Sequence, residues 1–360
     1  MSGSGFFGRA AHFVCPAIAL ALSLCVIPAA ELAGQAVAPG KVERAKVHGV
    51  SLEGNLSGDS PDRDVSVYLP PSYSGSPGKR YPVIYMLHGY TDSDDKWMGP
   101  TKHWIHLPTV LSRAIAEGRS GEFIVVMPNA FTRFEGSMYS SGVTTGDWES
   151  FVSKELVAWV DGRYRTLAKP ESRGIAGHSM GGYGAMRIGM KHPDVFSSVY
   201  LLSPCCLTPS RRGARPSSGP SVAELIRDDD AFRSAPFGVK IVIASAAAWA
   251  PNPTNPPFYL DLPVKNGEAR PDVAERLSAN ALLALLDQYI YAIRGLRGFG
   301  FDAGDKDTSI AASIRVLDEH LRAYGVPHKF AIYDGDHVNR VEQRIETEML
   351  PFFSKLLARE

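Results

Sequence analysis

An α/β architecture, with a mostly parallel sheet covered by helices on both faces, is what this 360-residue sequence predicts, and three observations carry the prediction. Short apolar runs alternate along the chain with segments of helical period. Two of the runs, 81–87 and 123–127, are apolar almost throughout, as strands buried on both faces must be. A third leads through Gly177-His178-Ser179-Met180-Gly181-Gly182 straight into an Ala/Met/Ile-rich helical pattern, which describes a sharp strand-to-helix turn built on glycine. Hydrophobic residues make up 44% of the chain, enough for one large core, so no second domain is required.

The elements follow in order. Residues 1–36 read as a secretory signal peptide: Arg9 and His12 in a short polar start, an apolar run over 13–27, then small residues at Gly34, Ala36 and Ala38 that suit cleavage. The run is short for a spanning helix and has Pro16 near its start and Pro28 just beyond its end. The expected mature protein is therefore secreted or periplasmic, without stable membrane insertion. Residues 37–63 form a lead-in, in which 42–52 pairs antiparallel with 64–69 across a Gly/Ser/Asp/Pro turn. Residues 64–360 form the main domain. Its further strands are expected at 81–87, 123–127, 173–176, 198–202, 240–244, 298–302 and 329–333, and its helices at 148–164, 182–191, 310–324 and 341–358. Ile310, Ile314, Leu317 and Leu321 fall on one helical stripe. Within this domain 207–297 is a variable, cap-like segment, because 208–221 is rich in Ser, Arg, Gly and Pro and 250–271 in Pro and Asn, so both read as loop.

Charge and cysteine content narrow the partners. Thirty-eight basic and 38 acidic residues cancel, leaving no broad field to attract nucleic acid or an acidic membrane. Cys15 and Cys25 fall in the signal, so only the adjacent Cys205 and Cys206 remain, which is no disulfide framework. Two buried free thiols are the expected state, with a strained eight-membered disulfide ring as the alternative.

The Gly-x-Ser-x-Gly turn makes Ser179 a candidate nucleophile, and a serine alcohol needs a base to take its proton and an acid to orient that base. In a chain of this order the acid precedes the histidine. His337 sits in the polar turn Asp334-Gly335-Asp336-His337 after the last strand. For the acid, Asp302, Asp305 and Asp307 compete in the run 301–307 that ends the strand 298–302, and Asp307 is favoured. Acyl transfer also requires donors for the oxygen that becomes negative. The backbone N–H of Met180 supplies one, and that of Tyr90, in Leu87-His88-Gly89-Tyr90, the second. Trp97, Trp104, Tyr139, Trp148 and Tyr183 flank these motifs as candidate substrate-pocket walls, with His88, His103 and His178. No metal is expected, since His103-x-x-His106 lacks a third ligand and the acidic loop lacks EF-hand spacing.

Together these residues resemble the esterase D-like branch of the α/β-hydrolases, which includes feruloyl esterases, S-formylglutathione hydrolases and antigen 85-type mycolyltransferases. The likeness runs from about Asp64 to the C-terminus. It rests on residues 81–89, on Gly146-Asp147-Trp148-Glu149-Ser150-Phe151, on 177–182 followed by His192-Pro193-Asp194-Val195-Phe196, and on Gly335-Asp336-His337. The resemblance implies a triad of Ser179, Asp307 and His337, no cofactor, and a secreted serine carboxylesterase acting on a small-molecule or polysaccharide-linked ester. An acyltransferase using the same triad is the second reading, and a hydrolase-fold protein used only for binding the third.

Overall fold

Alternation along the apolar runs divides the core into two layers, one on each face of a sheet. Val83, Tyr85 and Leu87 join Ile175, Val199 and Leu201 in one buried cluster, while Ile84 and Met86 join Ala176, Tyr200 and Leu202 in the other. Each of these larger side chains contributes about 1.5–3 kcal/mol by leaving water. The computed structural model describes residues 8, 39–99, 105–209 and 219–359. All of the expected signal peptide but Gly8, with His103, Trp104 and residues 210–218 of the first loop, lies outside the described residues.

Among the described residues the main sheet has eight strands: β1 (Lys41–His48), β2 (Asp62–Leu69), β3 (Val83–Leu87), β4 (Ile124–Pro128), β5 (Arg173–His178), β6 (Ser198–Leu202), β7 (Gly298–Gly304) and β8 (Lys329–Tyr333). Their order is β1-β2-β4-β3-β5-β6-β7-β8. The lead-in hairpin β1–β2 joins antiparallel, and every pair from β4 to β8 is parallel. One face is covered by α3 (Met180–Lys191), α6 (Leu282–Gly295) and α7 (Thr308–Ala323), which supply Met186, Leu286 and Leu317 to the first cluster. The other is covered by α1 (Leu107–Ala116) and α8 (Leu350–Leu356), through Val110, Leu111, Leu350 and Phe353. The helix expected at 148–164 runs over 148–163 and contains one π turn, ending as α2 (Leu156–Arg163).

Register then places the loops that matter. Leu87 pairs with Gly177, His178 with Leu202, Leu202 with Asp302, and Gly304 with Tyr333, so the carboxyl ends of β3, β5, β6, β7 and β8 open on one edge. That edge is where open parallel sheets place their ligands.

The cap-like segment departs from expectation at one point. Residues 240–244 are not a strand but the middle of α4 (Phe237–Trp249). A short apolar run fits either periodicity, and here the alanines at 244 and 246–248 extend it into a 13-residue helix that buries Ile243, Ala244, Ala246, Ala247 and Ala248. Residues 250–271 are mostly irregular, with a small ladder between Val264–Lys265 and Glu268–Ala269, and α5 (Pro271–Ser278) follows. The helices α1, α5 and α6 were not legible as such.

Candidate active site

Ser179 occupies the single residue between β5 and α3, at φ 57 and ψ −115. A non-glycine residue held there costs on the order of 1–3 kcal/mol, so the surroundings must impose it. They do so through three backbone bonds. The Ser179 N–H donates to the Leu202 carbonyl at 3.0 Å, and the Ser179 carbonyl accepts from the N–H of Tyr183 at 3.0 Å and of Cys205 at 3.2 Å. The flanking glycines permit the turn. A Cβ on Gly177 would stand 2.3 Å from the Gly181 carbonyl, and one on Gly181 would stand 2.1 Å from the Leu87 oxygen.

On the same edge, the turn after β8 carries His337 and the turn after β7 carries Asp307. The Ser179 hydroxyl donates to His337 Nε2 at 2.9 Å, and His337 Nδ1–H donates to Asp307 Oδ2 at 2.5 Å. Asp307 stands at the N-cap of α7 but makes no capping bond with its side chain, which turns to the imidazole instead. The two competing aspartates are engaged elsewhere. Asp302 is fully buried, accepting from Tyr200 Oη at 2.8 Å and from Arg344 Nε at 3.0 Å. Asp305 accepts from the Gly335 N–H at 3.0 Å and so shapes the histidine turn.

Ser179, Asp307 and His337 share the wall of a cavity of about 610 Å³ with Tyr90 and Met180. Met180 opens α3, so its N–H has no acceptor within the helix and lies at the positive end of the helix dipole. The rest of the wall is largely apolar and comes mostly from the cap-like segment, through Leu207, through Phe237, Ile241, Val242 and Trp249 of α4 and through Leu277 of α5, with Ile310 added from α7. Apart from Asp307 and His337, the described lining residues include no Asp, Glu, Lys, Arg or His.

Comparison with known proteins bears on what this edge belongs to. Residues 60–341 match the family model described as "Putative esterase". The chain belongs to that esterase family. The fold described above is the α/β-hydrolase fold. An esterase of Mycobacterium tuberculosis is 30% identical over 287 residues, which are 77% of this chain and 52% of the relative. An S-formylglutathione hydrolase of Arabidopsis thaliana is 28% identical over 157 residues, 39% of this chain and 50% of that one. The chain thus spans about half the length of these curated relatives. Among solved structures, a ferulic acid esterase superposes with a TM-score of 0.62 at 22% identity, covering 89% of this chain and 99% of that one. An S-formylglutathione hydrolase from Agrobacterium tumefaciens gives 0.56 at 18%, covering 89% and 96%.

Within this family member, the described aromatic and histidine residues expected to wall the pocket are not among those that line it. Trp97, Tyr139, Trp148 and Tyr183 are all buried and none lines the cavity. Trp148 donates through Nε1 to the Thr145 carbonyl at 2.8 Å, and its ring packs edge-on against Phe151. Tyr139 donates to the His88 carbonyl at 3.2 Å. Tyr183 stacks at a tilt behind Trp249, with ring centroids 5.4 Å apart, and so backs a residue that does line the cavity. His88 is buried as the neutral imidazole: its Nε2 accepts from the Ala130 N–H at 2.8 Å, its Nδ1–H donates to the Gly89 carbonyl, and burial pushes its pKa down to about 4. His106, the described half of the His103-x-x-His106 pair, accepts from the Thr109 N–H and caps α1.

His178 proves to be a support rather than a pocket residue. Its Nε2–H donates to the backbone carbonyl of His337 at 2.8 Å, and its Nδ1 accepts from Lys96 Nζ at 2.7 Å. Lys96 in turn donates to Asp92 Oδ2 at 2.8 Å, with both side chains almost wholly buried. Burial and the Lys96 charge hold the His178 pKa well below its ordinary value, which keeps this imidazole neutral. A chain of contacts therefore runs from the loop after β3 beneath the serine turn to the backbone that presents the imidazole. Sequence reasoning missed Lys96 and Asp92 because a lysine four residues from an aspartate reads as a solvated surface pair. Replacing Lys96 with methionine removes the ammonium from beneath both groups, and about 3–5 kcal/mol of stability is expected to be lost. Urea denaturation measures this, and an unchanged midpoint and slope would show that the buried pair carries no such energy.

Proposed function

We propose that this protein is a secreted or periplasmic serine carboxylesterase in which Ser179, His337 and Asp307 act as a catalytic triad. The observation that carries the reading is the unbroken contact from the Ser179 hydroxyl through His337 to Asp307 in the wall of a cavity. Membership of the esterase family supports the reaction class, and the apolar run at 13–27 supports export.

The chemistry follows from these positions. Ser179 Oγ attacks the ester carbonyl carbon as its proton passes to His337 Nε2, and the imidazolium that forms is stabilised by the Asp307 carboxylate. The carbonyl oxygen, now negative, accepts from the N–H groups of Met180 and Tyr90. Collapse breaks the bond to the alcohol, which leaves with the proton from His337. Water, deprotonated by the same nitrogen, then releases the acid and restores Ser179.

The apolar wall supports substrates with an apolar acyl or aryl group, whether on a small alcohol or linked to a polysaccharide. Among the described lining residues it offers no lysine or arginine to the carboxylates of S-formylglutathione. Accordingly, kcat/KM for p-nitrophenyl butyrate is expected to exceed that for S-formylglutathione. Val242→Asp is expected to lower the butyrate value by about 10–200-fold, the effect of roughly 1–3 kcal/mol in an apolar site, and the acetate value less. Equal losses on acetate and butyrate would remove α4 from substrate contact. The same acyl-enzyme would serve an acyltransferase, and product analysis with sugar or lipid alcohols present separates the two.

A further inference from the structure

Two thiols stand in the cavity wall that ester hydrolysis does not use. Cys205 and Cys206 follow β6 after Ser203 and Pro204, and both line the cavity that holds Ser179, Asp307 and His337. They are free cysteines with sulfurs 2.8 Å apart, which is about 0.8 Å more than the length of a disulfide bond. Consecutive side chains of an extended chain point to opposite faces. These two do not, because Cys206 has φ +60, a left-handed conformation that folds its thiol back onto its neighbour. A non-glycine residue there is held at a cost on the order of 1–3 kcal/mol. The backbone of Cys205 is also committed, since its N–H donates to the Ser179 carbonyl and so helps hold the serine turn.

We propose that Cys205 and Cys206 form a modification site, a vicinal dithiol that small-molecule disulfides oxidise to an internal disulfide, and that closing it lowers turnover at Ser179. One of the two sulfurs, as its thiolate, displaces one thiol from the small disulfide and forms a mixed disulfide. The neighbouring thiol, 2.8 Å away, then loses its proton to solvent and attacks that sulfur, expelling the second small thiol. The pair gives up two electrons and two protons, and one small disulfide becomes two thiols. The ring that closes has eight members and contains the Cys205–Cys206 peptide bond, which must twist from its relaxed planar geometry. That twist acts directly on the Cys205 N–H and, through it, on the serine.

The test treats the reduced full-length protein with excess 2-hydroxyethyl disulfide under native conditions. Peptide mapping follows after alkylation of the remaining thiols, with kcat on p-nitrophenyl butyrate measured before and after. The expected result is a Cys205–Cys206 disulfide with kcat lower by about fivefold or more, a barrier raised by about 1 kcal/mol, and recovery on adding dithiothreitol. In the double variant Cys205→Ser/Cys206→Ser the before-to-after ratio is expected to stay near one, whatever its own rate. Three results would overturn the proposal: thiols that stay reduced or form only mixed disulfides, a mapped disulfide with unchanged kcat, and equal inhibition of the double variant. The wild-type map alone decides the first, even if the variant does not fold. It needs no ester, so its outcome is separable from that of the esterase reading.

Discussion

Ser179→Ala is expected to lower kcat/KM for p-nitrophenyl butyrate by about 10⁴-fold or more while leaving the fold intact. In the proposed mechanism the Ser179 alcohol forms the acyl-enzyme, whereas the proposed donors of Met180 and Tyr90 and the apolar wall persist in the variant. Their survival sets the small residual rate. The variant also keeps the strained backbone, so its urea midpoint should match that of the wild type. Ser179→Gly differs in this respect. Glycine occupies φ 57 without strain, and this inactive variant is expected to gain about 1 kcal/mol in stability. Loss of activity together with a gain in stability would identify the turn as a place where conformational strain is held for reactivity rather than for folding.

Asp307→Asn is expected to lower kcat by about 10⁴-fold with little change in stability. An amide can turn its NH₂ toward His337 Nδ1, which then accepts. The imidazole proton moves to Nε2, the atom that must take the serine proton. Asp302→Asn supplies the contrast. Asp302 lies between Tyr200 and Arg344, away from the imidazole, and its carboxylate balances a buried guanidinium. Its replacement is expected to cost about 3–5 kcal/mol of stability, with the chemistry of the remaining folded protein preserved. A pattern in which Asp302→Asn abolishes turnover and Asp307→Asn does not would reassign the acid.

The parallel sheet was legible because its central strands bury both faces and so show uninterrupted apolar runs, and the serine turn because two of its glycines have no room for a Cβ. The segment 240–244 was misread for the same physical reason that made the strands readable. A short apolar run carries no period of its own, and only the following alanines and the one-face spacing of Phe237, Ile241 and Val242 distinguish a helix. The choice among Asp302, Asp305 and Asp307 depends on which carboxylate the neighbouring turn meets. That is a long-range fact: Arg344 claims one, the Gly335 amide another and His337 the third. The pocket expectation rested on proximity in sequence. Trp97, Tyr139, Trp148 and Tyr183 flank the motifs but are buried in the core, and the cavity is walled instead largely by α4 and α5 of the cap-like segment. Nor could the sequence join Lys96 to His178, since 82 residues separate them.

The most direct measurement is covalent. An alkyl fluorophosphonate, followed by intact mass and peptide mapping, should give a single adduct on the peptide that contains Ser179. The labelling rate should fall steeply in His337→Ala, because Nε2 no longer takes the hydroxyl proton. A protein that hydrolyses esters yet carries no adduct at Ser179, or that labels equally fast without the His337 imidazole, would contradict the account.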